Sequence, residues 1–503
     1  MKSKKAVYNI SSNLILQIVV LIYGLVIPKM IIEKFGSDIN GLISSISQFL
    51  GYIALLESGF GPVVKSILYK PLSKKDTKTI AEILRSAQKF FRKIAGIFIL
   101  YIIGLTLFYP LIINNQFDKL FTASLIIIIS LSTFAEYFFG ITYSLYLQAE
   151  QENYVISIMQ IITYIISIVV IIFLIKLNCS IHIIKLATAI IFILRPFLQK
   201  IYVEKKCGVL INKDITDYDI KNKWDGLAQH IAWVIHSNTD IAILTIFSTL
   251  KEVSVYAVYL LVVNGVKSII QALSSGIDAL FGKMMVEDTN EQLNKRFNIY
   301  ETIYYTVITI ICTCTMYLIV PFIKVYTIKI TDVNYIRYLF GYLIVISEFI
   351  WAVRLPYSTI TLAAGHFKET RKGAWFEALT NIVISIILVI KYGIIGVAIG
   401  TIAAMTIRTI EFAYHTNKYI LKRKQIASIK KVSIIVLETI LIVLTCNIIP
   451  KLNTVSYISW IINAFITFII SSAITIIINY IFYKKEYKEL LEILKNILKR
   501  KKA

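Results

Sequence analysis

Charge is what this sequence has least of. Only 17% of its 503 residues are Asp, Glu, Lys or Arg, while 57% are hydrophobic. A soluble globular domain carries about 25% charged residues. The apolar residues also run in long blocks, so a water-soluble domain is excluded and membrane spans are the expectation. Cysteine is sparse too. Cys179, Cys207, Cys312, Cys314 and Cys446 are scattered, with Cys312 and Cys314 two apart in an apolar run. They read as small core thiols, which excludes a disulfide framework. Zinc-ligand spacings are absent, as is the aromatic–basic interleaving of an RNA-binding module, so neither a metal site nor nucleic acid is expected. Low glycine (20) and proline (8) beside abundant Ile and Lys suggest an A·T-rich genome.

What is present is a series of fourteen apolar blocks: 12–32, 41–64, 94–113, 121–147, 154–175, 181–199, 225–248, 254–280, 301–324, 335–362, 373–390, 393–416, 432–449 and 456–483. Most reach the roughly 20 residues that cross hydrocarbon as a helix. Lipid offers backbone groups no partner, so helices are the default. The N-terminal basic head and apolar run read as the first span rather than a cleaved leader, since no small-residue cleavage site follows. The net charge of +23 lies between the blocks. Lysines and arginines crowd the segments at 2–5, 65–93, 200–223, 366–372, 418–431 and 499–502, all on one side of an even-numbered helix map. By the positive-inside rule both termini are cytoplasmic. In TIAEILRSAQKFFRKIAG, Ile80, Ile83, Leu84, Ala87 and Phe91 recur at helical spacing, which predicts a helix lying on the inner leaflet. The tail KEYKELLEILKNILKRKKA has the same character. The expected fold class is all-α: a polytopic integral membrane protein of about fourteen transmembrane helices.

Three landmarks repeat at nearly one interval. Ser58-Gly59 and Ser275-Gly276 are 217 apart, Leu147 and Leu362 are 215 apart, and Arg195 and Arg408 are 213 apart. A duplicated six-helix unit follows. An even helix number makes the copies parallel, related by an axis along the membrane normal. The expected organisation is an N-terminal lobe at 1–215, a C-terminal lobe at 216–425, and two further helices with a basic cytoplasmic tail at 426–503. Two pseudo-symmetric lobes facing a central cavity is a transporter's architecture. No Gly-x-x-x-x-Gly-Lys-Ser/Thr loop is present, so no ATPase is built in and transport must run on an ion gradient or the substrate's own.

Charges at membrane depth face a cavity or a partner. The candidates are Glu57, Glu136, Arg195, Asp225, His230, His236, Asp240, Lys267, Asp278, Glu348, Arg354, Glu377, Arg408 and Glu411. Glu57 precedes a break at Gly59, Gly61 and Pro62 that suits a bent span or hinge. His236 and Asp240 share a helical face, with His230 about 120° away; this is too sparse for a metal and suits a cavity wall or gating network. Lys267, Arg354, Arg195 and Arg408 are the cations expected to meet an anionic cargo. Glu57, His230, His236, Asp240, Asp278 and Glu348 are the coupling or gating candidates. The bland counterpart is that each cation is neutralised by a neighbour such as Asp278 or Glu348, and Arg408 and Glu411, three apart on one face, suit a structural pair.

KFGSDINGLISSISQFLGYIALLESGFGPVVKSILYKPLSKKD (34–76), LQAEQENYVISIMQ (147–160), LAAGHFKETRKGAWFEALTNIVISIILV (362–389) and YGIIGVAIGT (392–401) carry a likeness. With the fourteen-helix layout, they make the chain resemble the polysaccharide flippases of the multidrug/oligosaccharidyl-lipid/polysaccharide exporter superfamily. The resemblance implies movement of an undecaprenyl-pyrophosphate-linked oligosaccharide across the bacterial cytoplasmic membrane for capsule, O-antigen or exopolysaccharide synthesis. It implies alternating access, no bond broken and no cofactor. The implied partners are the lipid-linked oligosaccharide, membrane lipids, H+ or Na+ as coupling ion, and a polysaccharide polymerase with glycosyltransferases. The alternatives are a lipid II flippase, a multidrug cation exporter of the same fold, an embedded polymerase (for which the outside loops are short), and a membrane scaffold.

Overall fold

The structure is a computed structural model that describes residues 2–57, 59–113, 116–207, 218–220, 239–274, 277–449, 452–489 and 492. Every regular element among them is helical. Thirteen helices are long and apolar enough to cross a membrane, which makes the chain a polytopic membrane protein. They match thirteen of the fourteen expected blocks. The other, at 225–248, falls largely outside the described residues, as do His230 and His236 and most of the basic tail.

The chain divides into two compact units, 1–254 and 255–503. The first holds α1 (Lys2–Phe35), α2 (Ser37–Gly51), α3 (Ala54–Glu57), α4 (Phe60–Lys74), α5 (Thr77–Ile112) and α6 (Lys119–Ala135). It continues through a π-helical turn (Glu136–Gly140) to α7 (Ile141–Ala149), α8 (Asn153–Lys176) and α9 (Ile181–Cys207). The division falls within α10 (Leu250–Ser274). The second unit then holds α11 (Ile277–Glu287), α12 (Asn290–Tyr326), α13 (Tyr338–Ala363), α14 (Arg371–Tyr392) and α15 (Ile394–His415). A second π turn (Thr416–Ile420) precedes α16 (Ile426–Ile448) and α17 (Tyr457–Phe482).

The second block is not one helix. It stops at Glu57 and resumes at Phe60, because Gly59 is left-handed at φ 87°, a conformation that glycine adopts without the steric cost of a side chain. Pro62 then sits in the first turn of α4, where a missing N–H costs no intrahelical bond. The leaflet-lying helix expected at 79–96 is corrected too. Those residues open α5, a single 36-residue helix. Its Ile80, Ile83, Leu84, Ala87 and Phe91 are at most 2% exposed, packed in the core with Phe60, Val64 and Leu68 of α4. Periodicity identifies a buried face but not whether lipid or protein covers it.

The duplication extends into backbone detail. Asp76 caps α5 and Thr289 caps α12, 213 residues apart. The left-handed breaks at Gln151 and Gly365 are 214 apart, and those at Asn178 and Gly393 are 215 apart. Inside the lobes polarity is inverted relative to a soluble protein. α17 turns Asn463, Thr467, Ser471, Thr475 and Asn479 inward at every fourth residue, while Ile458, Phe465 and Ile481 are 58% exposed or more. Apolar side chains face outward because the solvent there is lipid.

Close approach is built in by small residues. A Cβ on Gly41 would lie 1.8 Å from the Leu250 carbonyl oxygen, within the first unit. In the second unit one buried carboxylate ties α12 to the start of α16. Glu301 is fully buried. Lys431 Nζ lies 2.8 Å and Arg423 Nη2 3.2 Å from its Oε2, and the Tyr357 hydroxyl donates to Oε1. Removing one partner of a buried ion cluster strands the others, at about 3–5 kcal/mol. Glu301→Ala is therefore expected to lower stability by about that amount, seen as a clear fall in the thermal unfolding midpoint of purified protein. An unchanged midpoint would show that the cluster does not hold these helices together.

Candidate functional site

The break after α3 and the π turn after α6 meet around a polar cavity of about 360 Å³ inside the first unit. Its lining includes Glu57, Glu136, Tyr137, Gln160, Arg195 and Gln199. Each arrives for a local reason. Glu57 ends α3 just before the left-handed Gly59. Glu136 and Tyr137 open the π turn, whose extra residue per turn re-aims side chains and recurs at functional sites. Gly140 closes that turn against α9: a Cβ there would come 2.6 Å from Pro196 Cβ and 3.1 Å from a Glu136 carboxylate oxygen. Arg195 precedes Pro196 on α9.

The cavity is wired at both ends. The Tyr137 hydroxyl donates to Glu57 Oε2 at 3.0 Å, and Ser144 Oγ donates to Gln199 Oε1 at 2.9 Å. Arg195 Nε donates to Thr163 Oγ1 at 2.7 Å. Its guanidinium carbon lies 3.9 Å from the Phe192 ring centroid and 4.5 Å from that of Tyr164, within cation–π range. Its Nη2 is buried with no hydrogen-bond partner. A guanidinium held by a neutral hydroxyl and two rings keeps donors for an oxygen-rich guest. Glu136 supplies the nearby opposite charge.

The other predicted residues lie apart. Lys267 on α10 is half-buried, 3.5 Å from Glu348 Oε1 and 4.7 Å from the Trp351 ring; Glu348 Oε2 is buried without a hydrogen bond. Arg354 Nη1 lies 2.7 Å from Glu377 Oε1, and Arg408 Nε lies 3.5 Å from Glu377 Oε2. Arg408 Nη1 also reaches Glu411 Oε2 at 2.6 Å and the Thr370 carbonyl at 2.8 Å. These two arginines are bound into one buried ion chain. Asp240 is half-buried in the first unit, near Tyr52. Asp278 lies on α11, with only its backbone described. The His236–Asp240 group therefore cannot be assembled from the described residues. Among them, no group of three or more His, Cys, Asp or Glu could hold a metal ion.

Sequence reasoning put Glu57 and Arg195 on its site list but not in one cavity. It did not single out Tyr137, Gln160, Gln199, or the acids Glu301 and Glu438. Gln160 stands among apolar residues of a span, and that isolation is a usable signal; Gln199, beside Lys200 at the end of its block, carries no such mark. Gly140→Ala is expected to displace Pro196 or the Glu136 carboxylate and to destabilise the protein by about 1–3 kcal/mol, as overpacking does. Thermal unfolding of the variant measures this, and a wild-type midpoint would mean that the turn has room to spare.

No protein-family model matches the chain, and no curated protein matches it in sequence. Solved structures do resemble it. The lipid II flippase MurJ, in an inward closed conformation, superposes with a TM-score of 0.70 at 16% identity, over 95% of this chain and 99% of that one. An inward-facing multidrug resistance MATE family transporter of the MOP superfamily gives 0.67 at 12% identity, over 83% and 99%. The Vibrio cholerae MATE transporter VcmN gives 0.54 at 13% identity, over 83% and 98%. At these identities what is shared is the fold of MOP-superfamily transporters.

Proposed function

We propose that this chain is an alternating-access flippase that moves a lipid-linked saccharide with an anionic headgroup across the membrane. The observation that carries the proposal is the cavity around Arg195, where a buried guanidinium nitrogen without a hydrogen-bond partner sits among hydroxyls, the amides Gln160 and Gln199, and the carboxylates Glu57 and Glu136. The unpartnered guanidinium donor suits oxygen-rich, negatively charged groups, of which pyrophosphate and acidic sugars are the relevant kind.

The range of the fold likeness supports a lipid-linked cargo. The MurJ structure matches 95% of this chain and the two MATE structures match 83%. That favours a lipid II-type precursor. The stretches at 34–76 and 362–401 favour a capsule or O-antigen repeat unit on the same undecaprenyl-pyrophosphate anchor. Both cargoes present one chemistry: a diphosphate between a polar saccharide and a tail that stays in lipid. Arg195 is assigned the cargo-facing role, because its Nη2 has no hydrogen-bond partner whereas Arg354 and Arg408 are bound into a buried ion chain; Lys267, half-buried with a single carboxylate at 3.5 Å, is the second candidate. Glu57, hydrogen-bonded to Tyr137 in the same cavity as Arg195, is assigned a coupling role with H+ or Na+.

The decisive experiment is complementation in two strains, one depleted of its lipid II flippase and one lacking a capsule repeat-unit flippase. The sidedness of undecaprenyl-linked saccharide is read in each. Rescue in either strain is expected, and the strain rescued identifies the cargo. Arg195→Ala with Lys267→Ala should lower flipping at least about tenfold, the loss expected when a charge-assisted contact worth roughly 1.5–3 kcal/mol is removed. Failure to rescue either strain, together with altered tolerance to cationic drugs, would move the assignment to a multidrug exporter.

A further inference from the structure

A second polar site lies in the second unit, where α12, α16 and α17 pack together. Its centre is Glu438. This glutamate stands alone in the apolar run of α16, is 1% exposed, and has a buried Oε1 with no hydrogen-bond partner. The helix registers bring two hydroxyls to its level. Lys431 Nζ bonds Thr302 Oγ1 at 3.2 Å and Tyr317 OH bonds the Cys446 carbonyl at 2.8 Å, both pairs 129 residues apart. The same interval aligns Glu438 with Thr309, and the two are neighbours. α17 runs antiparallel to α12. Asn479 Nδ2 bonds Thr306 Oγ1 at 3.2 Å, and Thr313 bonds Ser471 Oγ at 3.4 Å. Midway between them, Thr309 faces the level of Thr475. Thr309 and Thr475 are fully buried; Thr309 stands against the Glu438 carboxyl, and the Oγ1 of Thr475 lacks a hydrogen-bond partner.

Three helices thus place a carboxyl and two hydroxyls at one depth, with Glu438 Oε1 and Thr475 Oγ1 unsatisfied. Among the described residues no cation answers Glu438. Lys431, one turn pair away on α16, is committed to Glu301 at 2.8 Å, and Arg423 is committed to the same carboxylate. The other titratable groups around the seam are Tyr483 and Tyr487 beyond α17, the thiols Cys312, Cys314 and Cys446, and the carboxylates Glu486, near Tyr483, and Glu348, near Cys312; none of them is a cation. An ionised carboxylate cannot remain in such a place, whereas a carboxylic acid can donate to one hydroxyl and accept from another. The seam also offers a route. Polar residues continue at every fourth position of α17 through Ser471, Thr467 and Asn463. They reach a small cavity of about 10 Å³ lined by Tyr317, Cys446, Asn463 and Thr467, close to the size that holds one water. On the other side Thr306 meets the Tyr487 hydroxyl at 3.0 Å.

We infer that Glu438 is a proton-binding site, distinct from the Arg195 cavity, whose carboxyl takes up and releases a proton as the second unit changes conformation. Its part in driving transport rests on the flippase assignment above; the binding itself does not. The step balances simply: the carboxylate gains one proton from water through the hydroxyl row and returns it the same way. Sodium would need more oxygen ligands than one carboxyl and two hydroxyls provide.

The test uses the full-length protein in lipid nanodiscs and infrared difference spectroscopy across pH. Wild type is expected to show a protonated-carboxyl band at neutral pH that disappears only at alkaline pH. Glu438→Gln, close to the acid in shape, should remove it. Thr309→Val should shift the band by removing a hydrogen bond, and it serves as the second variant if the glutamine protein fails to elute as a monodisperse peak. In proteoliposomes carrying an undecaprenyl-linked saccharide, Glu438→Gln should lose at least nine-tenths of the stimulation given by a pH gradient. A carboxyl spectrum identical in wild type and Glu438→Gln would overturn the inference. So would a band abolished by sodium at constant pH, which would mark a metal-ion site, or undiminished stimulation in the variant. If no lipid-linked cargo moves but the band is present and lost in the variant, the proton site stands and the flippase assignment falls.

Discussion

Lipid supplies no counter-charge, so every ionised side chain in a span has to be answered within its own bundle. That requirement organises this protein more than any apolar contact does. Apolar packing against lipid is cheap to exchange, since tails and leucines are much alike. Ion clusters are not. Glu301 gathers Arg423, Lys431 and Tyr357 from three parts of the second unit, and Glu377 gathers Arg354 and Arg408. Each cluster fixes which helices are neighbours and at what depth. A sliding helix would strand a charge in a medium that cannot solvate it.

The same requirement explains which side chains are available for function. Loop lysines that set topology are not all solvated. Lys431 belongs to the basic run after the twelfth span, yet it is buried and spent on Glu301. Counting charges therefore says which side faces the cytoplasm, but not which cations are free for a guest. Arg195, bonded by Thr163 and stacked on Phe192 and Tyr164 with Glu136 nearby, still keeps its Nη2 to offer.

Much of the fold is legible in the residues. Hydrocarbon thickness imposes a minimum length on every span, so thirteen apolar blocks reappear as helices, several of which run on past the apolar block by ten residues or more, as α5 does from Thr77 and α12 from Asn290. Gly59-x-Gly61-Pro62 marks a break because glycine at positive φ and a first-turn proline each have a backbone meaning. The π turn at Glu136–Gly140 is not legible, since it depends on how closely Gly140 approaches Pro196. The site is half legible. Rarity makes Glu57 and Arg195 conspicuous in apolar runs, but pairing is a tertiary matter, so the list cannot tell Arg195, which lines a cavity, from Arg354, which is sealed in an ion pair.

Duplication resolves that difference. Arg195 and Arg408 are 213 residues apart, Thr163 and Glu377 are 214 apart, and Gly140 and Arg354 are also 214 apart. In the second unit these positions form a closed chain: Arg354 to Glu377 to Arg408. In the first unit the arginine is kept while its partner is a threonine, whose hydroxyl takes Nε but not the charge. The position of the other arginine is a glycine, which lets α9 close on the π turn. The two exchanges remove one carboxylate and one guanidinium; Pro196 and the Glu136 carboxylate take up the space at Gly140, and the retained cation loses the carboxylate that would close it into a chain. A cavity with a buried, unpartnered guanidinium nitrogen is the direct result. One ancestral layout thus serves as a structural lock in one unit and as a candidate binding site in the other, and what separates them is which neighbours of the shared arginine carry charge.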